Sequence, residues 1–156
     1  MIVGRATAEH LAAVADLDWR ALHEPFVHGA RIAERREALM AVWPGFLENP
    51  DARLYVLAMG EETVGFAAVR IVVGEAELDG IAVEPRVRKQ GLGQRLLEHV
   101  IDDLRAAAVT RIGLEGRAGN VAARRLYAAF GFDEEGVRRS YYEDGEDAML
   151  LGRALA

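Results

Sequence analysis

The chain contains no cysteine. Disulfides, thiolate metal sites and a cysteine nucleophile are therefore excluded. It has a single serine, Ser140, with no G-x-S-x-G around it, which argues against a serine hydrolase. The four histidines, His10, His23, His28 and His99, stand apart with no ligand-like spacing, so no metal site is expected. Positive charge is in short supply: 19 Lys and Arg against 25 Asp and Glu give a formal net charge of −6. That balance argues against nucleic acid as a partner, which needs a basic face, and leaves room for a basic one. No apolar run is long enough to span a bilayer, and Met1 leads straight into "IVGRATAEH" without a secretory leader. A cytoplasmic protein with no membrane partner is expected. What is present, 156 residues of which 51% are hydrophobic and 28% charged, reads as one globular domain over residues 1–156.

Along the chain, "IVGRA" predicts a short first strand. Thr7 can cap a helix reaching about Leu22, with Leu11, Val14, Ala15 and Leu17 at helical spacing. A second helix is expected from about Arg31 and should end near Trp43, because Pro44 cannot continue it. The period then changes. "RLYVLAMG", "TVGFAAVRIVV" and "AELDGIAVEP" are β-branched and aromatic runs separated by turn residues, and they predict consecutive antiparallel strands. Leu92, Leu96, Leu97, Val100, Ile101 and Leu104 form the apolar stripe of a helix. "TRIGLEG" predicts a further strand. "NVAARRLYAAFGF" predicts a helix with Asn120 as N-cap and Gly131 just past its end. "GVRRSYY" and "EDAMLLGRAL" predict two closing strands around the polar turn "EDGED". The expected class is α/β: a mixed, mostly antiparallel sheet with helices on its faces.

Two glycines, Gly91 and Gly93, stand where the helix from Leu92 begins, although glycine costs about 1 kcal/mol against alanine in a helix interior. A glycine-bearing loop running into a helix N-terminus is a ready anion site, because the first N–H groups of a helix lack partners and the dipole favours negative charge. The glycines remove side chains that would hold a phosphate away. The dinucleotide fingerprint fails, with Leu96 at its third glycine position, and there is no Gly-Lys-Ser/Thr for a P-loop. Incidental glycines at a helix start remain the alternative.

"RKQGLG" fits Arg/Gln-x-x-Gly-x-Gly/Ala and resembles the acyl-CoA pyrophosphate loop of the GCN5-related N-acetyltransferase (GNAT) superfamily. "IAVEP" upstream and "GNVAARRLYAAFGF" downstream are similar to that superfamily as well. With "RRSYY" and "EDAM", the stretch from about Tyr55 to Leu155 resembles the ribosomal-protein alanine N-acetyltransferases. The N-terminal third looks more like generic small-substrate acetyltransferases. The resemblance implies acetyl-CoA as co-substrate, with Arg88, Lys89, Gln90, Gly91, Leu92, Gly93 and Gln94 around the pyrophosphate. It implies that the backbone of Ile81, Ala82 and Val83 pairs with the pantetheine arm like an added strand. Asn120 is either the helix cap, a hydrogen bond to that arm, or both.

For the chemistry, the resemblance maps a catalytic base onto Glu115; otherwise Glu115 is a solvent-facing strand residue or a partner of Arg117. Strand alternation would put Gly113, Glu115 and Arg117 on one face and Ile112, Leu114 and Gly116 on the other. The family's general acid maps onto Tyr127, whose alternative is a core aromatic beside Leu126 and Phe130. Without a cysteine, direct attack in a ternary complex is more natural than an acyl-enzyme. Tyr141 and Tyr142 are candidates for the acceptor groove, or else two strand aromatics. "EDGED" is either a solvated hairpin tip or a docking surface for a basic peptide. Three functions follow: acetylation of a protein N-terminal alanine, acetylation of a small amine, and a non-catalytic acyl-CoA-binding module. The presence of both Glu115 and Tyr127 disfavours the last.

Overall fold

The computed structural model describes residues 1–27 and 31–155; His28 lies outside them. A seven-stranded sheet runs in the order β1-β2-β3-β4-β5-β7-β6. Its strands are β1 (Ile2–Arg5), β2 (Ala52–Met59), β3 (Glu62–Val72), β4 (Glu75–Val83), β5 (Arg111–Arg117), β6 (Asp133–Arg138) and β7 (Ala148–Ala154). Every neighbouring pair is antiparallel except β4 and β5, which run parallel and are joined by helix α4 (Leu92–Ala106). The expected α/β class and strand succession are both present.

The sheet is covered on both faces. On one, the stripe of α4 packs with Tyr127 of α5 (Val121–Ala129) onto Tyr55, Ala67, Leu78, Ile112 and Leu114. On the other, α1 (Leu11–Asp18) and Trp43 cover Leu54, Val56, Phe66 and Ala68. The strands alternate between these two cores as the pleat requires. In β4 the alternation is reset. Val69 of β3 pairs with Leu78 and Ala68 with Gly80, so Asp79 is bulged out. Ala76 and Leu78 therefore face α4, and so do Ile81 and Val83 three residues further on, with Ala82 turned the other way.

The structure departs from expectation in three places, two of them in the N-terminal third. The first helix is not continuous from Thr7: a 3-10 turn (Ala8–His10) precedes α1, and a π turn (Trp19–His23) follows it. The second helical region is broken before the proline. Helix α2 covers Ile32–Met40, and α3 (Trp43–Glu48) takes Pro44 into its first turn, where the missing N–H has no partner to lose. The third departure is at the other end of the chain: β6 ends at Arg138, so Tyr141 and Tyr142 lie on the β6–β7 loop and not in a strand. Positive φ explains that stop, because Ser140 turns the chain at φ +49°.

Both long C-terminal helices end in the same motif. At α5, Phe132 N–H donates to the Tyr127 carbonyl and Gly131 N–H to Ala128, with Gly131 at φ +80°. At α4, Val109 donates to Leu104 and Ala108 to Arg105, but the left-handed position is filled by Ala108 at φ +61°.

Candidate active site

The parallel pairing of β4 with β5 is short. Glu75, Ala76, Glu77 and Leu78 pair with Arg111, Ile112, Gly113 and Leu114, and the register goes no further. Beyond it the two strands part. Gly80–Val83 keep their β3 partners on one side, Ala67 against Ile81, Phe66 against Ala82 and Gly65 against Val83, while the side towards β5 has none. The bulge at Asp79 stands where the strands separate. An unpaired strand edge inside a sheet is a site for an extended ligand bearing its own amide groups. Ile81, Ala82 and Val83 lie on that edge.

Below the opening is the loop into α4. A 3-10 turn (Pro85–Val87) follows β4, and Arg88 folds back so that its Nε donates to the Val83 carbonyl at 3.0 Å. Lys89 and Gly91 both adopt positive φ, at +63° and +74°. Arg95 N–H is bonded to the Gly91 carbonyl, so the N–H groups of Leu92, Gly93 and Gln94 belong to the unpartnered first turn. Alternating left-handed residues ahead of a helix turn successive N–H groups into one concavity suited to an anion. The two glycines differ in role. A Cβ at Gly91 would meet nothing within 4 Å, so that residue is glycine for its backbone angle and leaves open ground beside the N–H row. A Cβ at Gly93 would lie at an ordinary contact distance, 3.8 Å, from Leu126, so that position faces α5. A pyrophosphate joined to an amide-bearing arm fits this combination of N–H row, open space and free edge.

Glu115 is on β5 just past the last paired residue, on the face away from α4, as alternation predicts. Its carboxylate is paired with Arg138 of β6, Nε to Oε1 3.2 Å, and not with Arg117. The Tyr141 hydroxyl faces the same carboxylate, which raises the phenol's pKa. Arg117 instead lies under two aromatic rings, 3.6 Å from the Phe26 centroid and 4.0 Å from Tyr142, and bonds Asp144 at 2.8 Å and Glu146 at 3.0 Å. Glu146 also accepts from Gly119 N–H, Asp147 accepts from Ser140 N–H, and Glu143 pairs with Arg35 of α2 at 2.5 Å. The acidic turn is thus engaged by the protein's own arginines and amides. It straps the β6–β7 loop, with Tyr141 and Tyr142, over the end of β5.

Tyr127 belongs to the opposite core. It is 8% exposed, and its ring packs on Phe132 at 5.5 Å between centroids. This contact is part of the helix terminator: the residue whose carbonyl closes the motif carries the phenol, and the residue that donates to it carries the supporting ring. Burial alone pushes the phenol up to about 12, with no hydrogen-bonding neighbour contributing. Asn120 caps α5, its Oδ1 accepting from Ala123 N–H at 3.1 Å. Its amide nitrogen makes no bond among the described residues. Arg138, which lies in "RRSYY" but carries no role in the sequence reading, reaches Glu115 through the sheet order, and Arg117, read there only as a possible partner of Glu115, instead anchors the acidic turn. Glu77, on the same face of the sheet, is missed by the sequence reading although the acidic alternation of Glu75, Glu77 and Asp79 marks it.

The sequence profile of the acetyltransferase (GNAT) family matches residues 11–132. The ribosomal protein bS18-alanine N-acetyltransferase of Escherichia coli (strain K12) is 44% identical over 116 residues, 71% of this chain and 78% of the relative. That of Haemophilus influenzae is 34% identical over 111 residues, 69% of this chain and 75% of the relative. The crystal structure of the ribosomal-protein-S18-alanine N-acetyltransferase from Escherichia coli superposes with a TM-score of 0.84 at 31% identity, covering 99% of this chain and 94% of that one. Ard1 from Thermoplasma volcanium shares the fold, with a TM-score of 0.81 at 20% identity over 99% and 97% of the two chains. With its split sheet and glycine loop, the chain belongs to the GNAT family of acetyltransferases.

Proposed function

We propose that this enzyme transfers the acetyl group of acetyl-CoA to the α-amine of an N-terminal alanine, that of ribosomal protein bS18, by direct attack in a ternary complex. The observation that carries the acceptor is the 44% identity to the E. coli bS18-alanine N-acetyltransferase over 71% of the chain. The site supports the chemistry. Acetyl-CoA supplies an acyl thioester. The residues that would hold it are Gly91–Gln94 at the pyrophosphate, with Arg88, Lys89 and Gln90 leading in. The edge Ile81–Val83 and the free amide of Asn120 would hold the pantetheine arm. Glu115 takes a proton from the amine, directly or through a water, as nitrogen bonds the acyl carbon. The Tyr127 hydroxyl gives a proton to the departing sulfur. A phenol at about 12 remains protonated throughout the working pH range, so the acid is always loaded. Tyr141 and Tyr142 line the acceptor side.

The acceptor asks little of the base. An α-amine of pKa 7.7–8.0 is roughly one-tenth neutral at pH 7, whereas a lysine amine is neutral to only about 0.04%. Glu115→Gln is therefore expected to lower kcat/KM most at low pH, with partial recovery as free amine accumulates at higher pH. Profiles of the two proteins with an alanine-starting peptide measure this. Profiles equal in shape and height remove Glu115 as the base. A panel of alanine-starting peptides beside small amines tests the acceptor. Reaction of small amines or lysine alone would move the enzyme to the small-amine class and leave the acetyl-transfer chemistry intact.

A further inference from the structure

On the acceptor face, two segments flank the split in the sheet. On the β4 side stands the segment that follows α1. Its π turn lays Leu22 against Gly80, where a Cβ would stand 3.3 Å from Leu22 Cδ1, and the next turn (Glu24–Phe26) presents Phe26. On the β5 side lies the β6–β7 loop with Tyr141 and Tyr142. Arg117 leaves β5 three residues past Leu114, the last residue to pair with β4, and its guanidinium reaches both segments. The guanidinium carbon is 3.6 Å from the Phe26 centroid and 4.0 Å from that of Tyr142, well inside the distance of about 6 Å over which a ring face holds a cation.

This contact is shielded and fixed. The Arg117 side chain is 16% exposed, and one terminal nitrogen donates to Asp144 at 2.8 Å and to Glu146 at 3.0 Å. The other oxygen of Glu146 accepts from Gly119 N–H at 2.8 Å, so the turn ahead of α5 joins the same knot. With two carboxylates balancing its charge, the guanidinium is no receptor for an anionic acceptor; what it supplies is position. The second tie between the N-terminal third and the loop, Arg35 to Glu143, ends on a glutamate side chain 82% exposed and is weakened by water and salt. From Tyr142 the contacts run on to the base. Its ring meets Tyr141 edge-on at 5.1 Å, the Arg138 guanidinium lies 5.8 Å from the Tyr141 centroid, and Arg138 holds Glu115 at 3.2 Å.

We propose that Arg117 is a positioning residue of the acceptor site: by joining Phe26 to Tyr142 it fixes the groove along which an extended acceptor reaches Glu115. The inference rests on the acceptor amine being received at Glu115, as proposed above. Arg117 and Glu115 share a face of β5 and stand one pleat repeat apart, about 6–7 Å, a length that two extended acceptor residues span. A peptide whose amine has reached the base therefore runs past the joined rings, whereas a single amino amide stops short of them. Lysine cannot replace Arg117 in this role, because an ammonium keeps the charge but has no planar face to lie against two rings.

Steady-state kinetics with an alanine-starting hexapeptide and with alaninamide, each with acetyl-CoA, reads the role. Arg117→Lys should raise the hexapeptide KM about tenfold, with kcat and the acetyl-CoA KM within about twofold of the wild type. On alaninamide its kcat/KM should change by less than about twofold. Phe26→Leu should reproduce the hexapeptide effect, and Phe26→Tyr, which keeps a ring, should recover most of it. In an Arg117→Lys background Phe26→Leu should add little, because both changes undo one contact. Phe26→Leu also carries the test if Arg117→Lys does not fold. An equal loss on both acceptors overturns the proposal, since it would make Arg117 a support of the whole site; so does an unchanged hexapeptide KM in either variant. If the wild type acetylates small amines alone, or if Glu115→Gln is fully active, the acceptor reading falls and the proposal with it. If the wild type prefers the hexapeptide and Arg117→Lys keeps that preference, the proposal alone falls.

Discussion

Replacing Tyr127 by Phe removes one oxygen from a ring held by Phe132, and two consequences can be separated. The hydroxyl has no hydrogen-bond partner among the described residues, so at neutral pH its loss should change stability by less than about 1 kcal/mol, a Tm shift within about 4 °C. Turnover should fall on the order of 10²-fold or more while acetyl-CoA still binds. The alkaline range carries the second consequence. The folded phenol sits at about 12, against about 10 in the unfolded chain. Below pH 10 both states keep the proton, and the group adds no pH dependence. Between the two values the unfolded chain has released it and the folded protein has not, so stability falls as pH rises, by about 1.4 kcal/mol per pH unit. By pH 12 the loss is on the order of 2–3 kcal/mol, and Tyr127→Phe abolishes it. Denaturant unfolding of both proteins at pH 8 and pH 11 measures the difference, in which every other titrating group, Tyr55 included, cancels. Full activity of the Phe variant would refute the role of general acid. Curves that fall in parallel with pH would refute the burial that keeps the acid loaded.

Gly91→Val should weaken acetyl-CoA binding tenfold or more, about 1.4 kcal/mol, by straining a +74° φ and filling the space beside the N–H row; calorimetric titration reads it, and unchanged affinity in a folded variant would remove the phosphate site. Ala108→Gly should stabilise the protein by about 0.5–1 kcal/mol, because the left-handed terminator of α4 currently carries a Cβ; a Tm that does not rise would show that the motif is unstrained.

How much was legible in the sequence depended on how local the cause was. The α4 stripe, the Asn120 cap and the Gly131 terminator are set within a few residues, and each stands where the pattern put it. Pro44 reads as a stop, but a proline both ends one helix and opens another, and the sequence does not say which N–H is already spare. The end of β6 is not legible because "RRSYY" has strand composition, while Ser140 at positive φ and the bonds of the acidic turn to Arg35, Arg117 and Gly119 pull it into a loop. The partners of Glu115 escaped for a topological reason. Arg138 is 23 positions away and comes alongside only because β7 inserts between β5 and β6, an order that no local period encodes.

The short β4–β5 pairing has a consequence for the life of the protein as well as its catalysis. Along the main chain, the halves β1–β4 and β5–β7 are stitched by the four residue pairs from Glu75 to Leu78 and by the bond from Thr110 N–H to the Gly74 carbonyl just before them. A donor bound along Gly80–Val83, as proposed above, would lengthen that seam, and binding to the folded state alone adds RT ln(1 + [L]/Kd), about 2.7 kcal/mol at a hundredfold excess over Kd. On that reading the folded chain's resistance to denaturant and protease rises with acetyl-CoA concentration, and the co-substrate is also a structural strand.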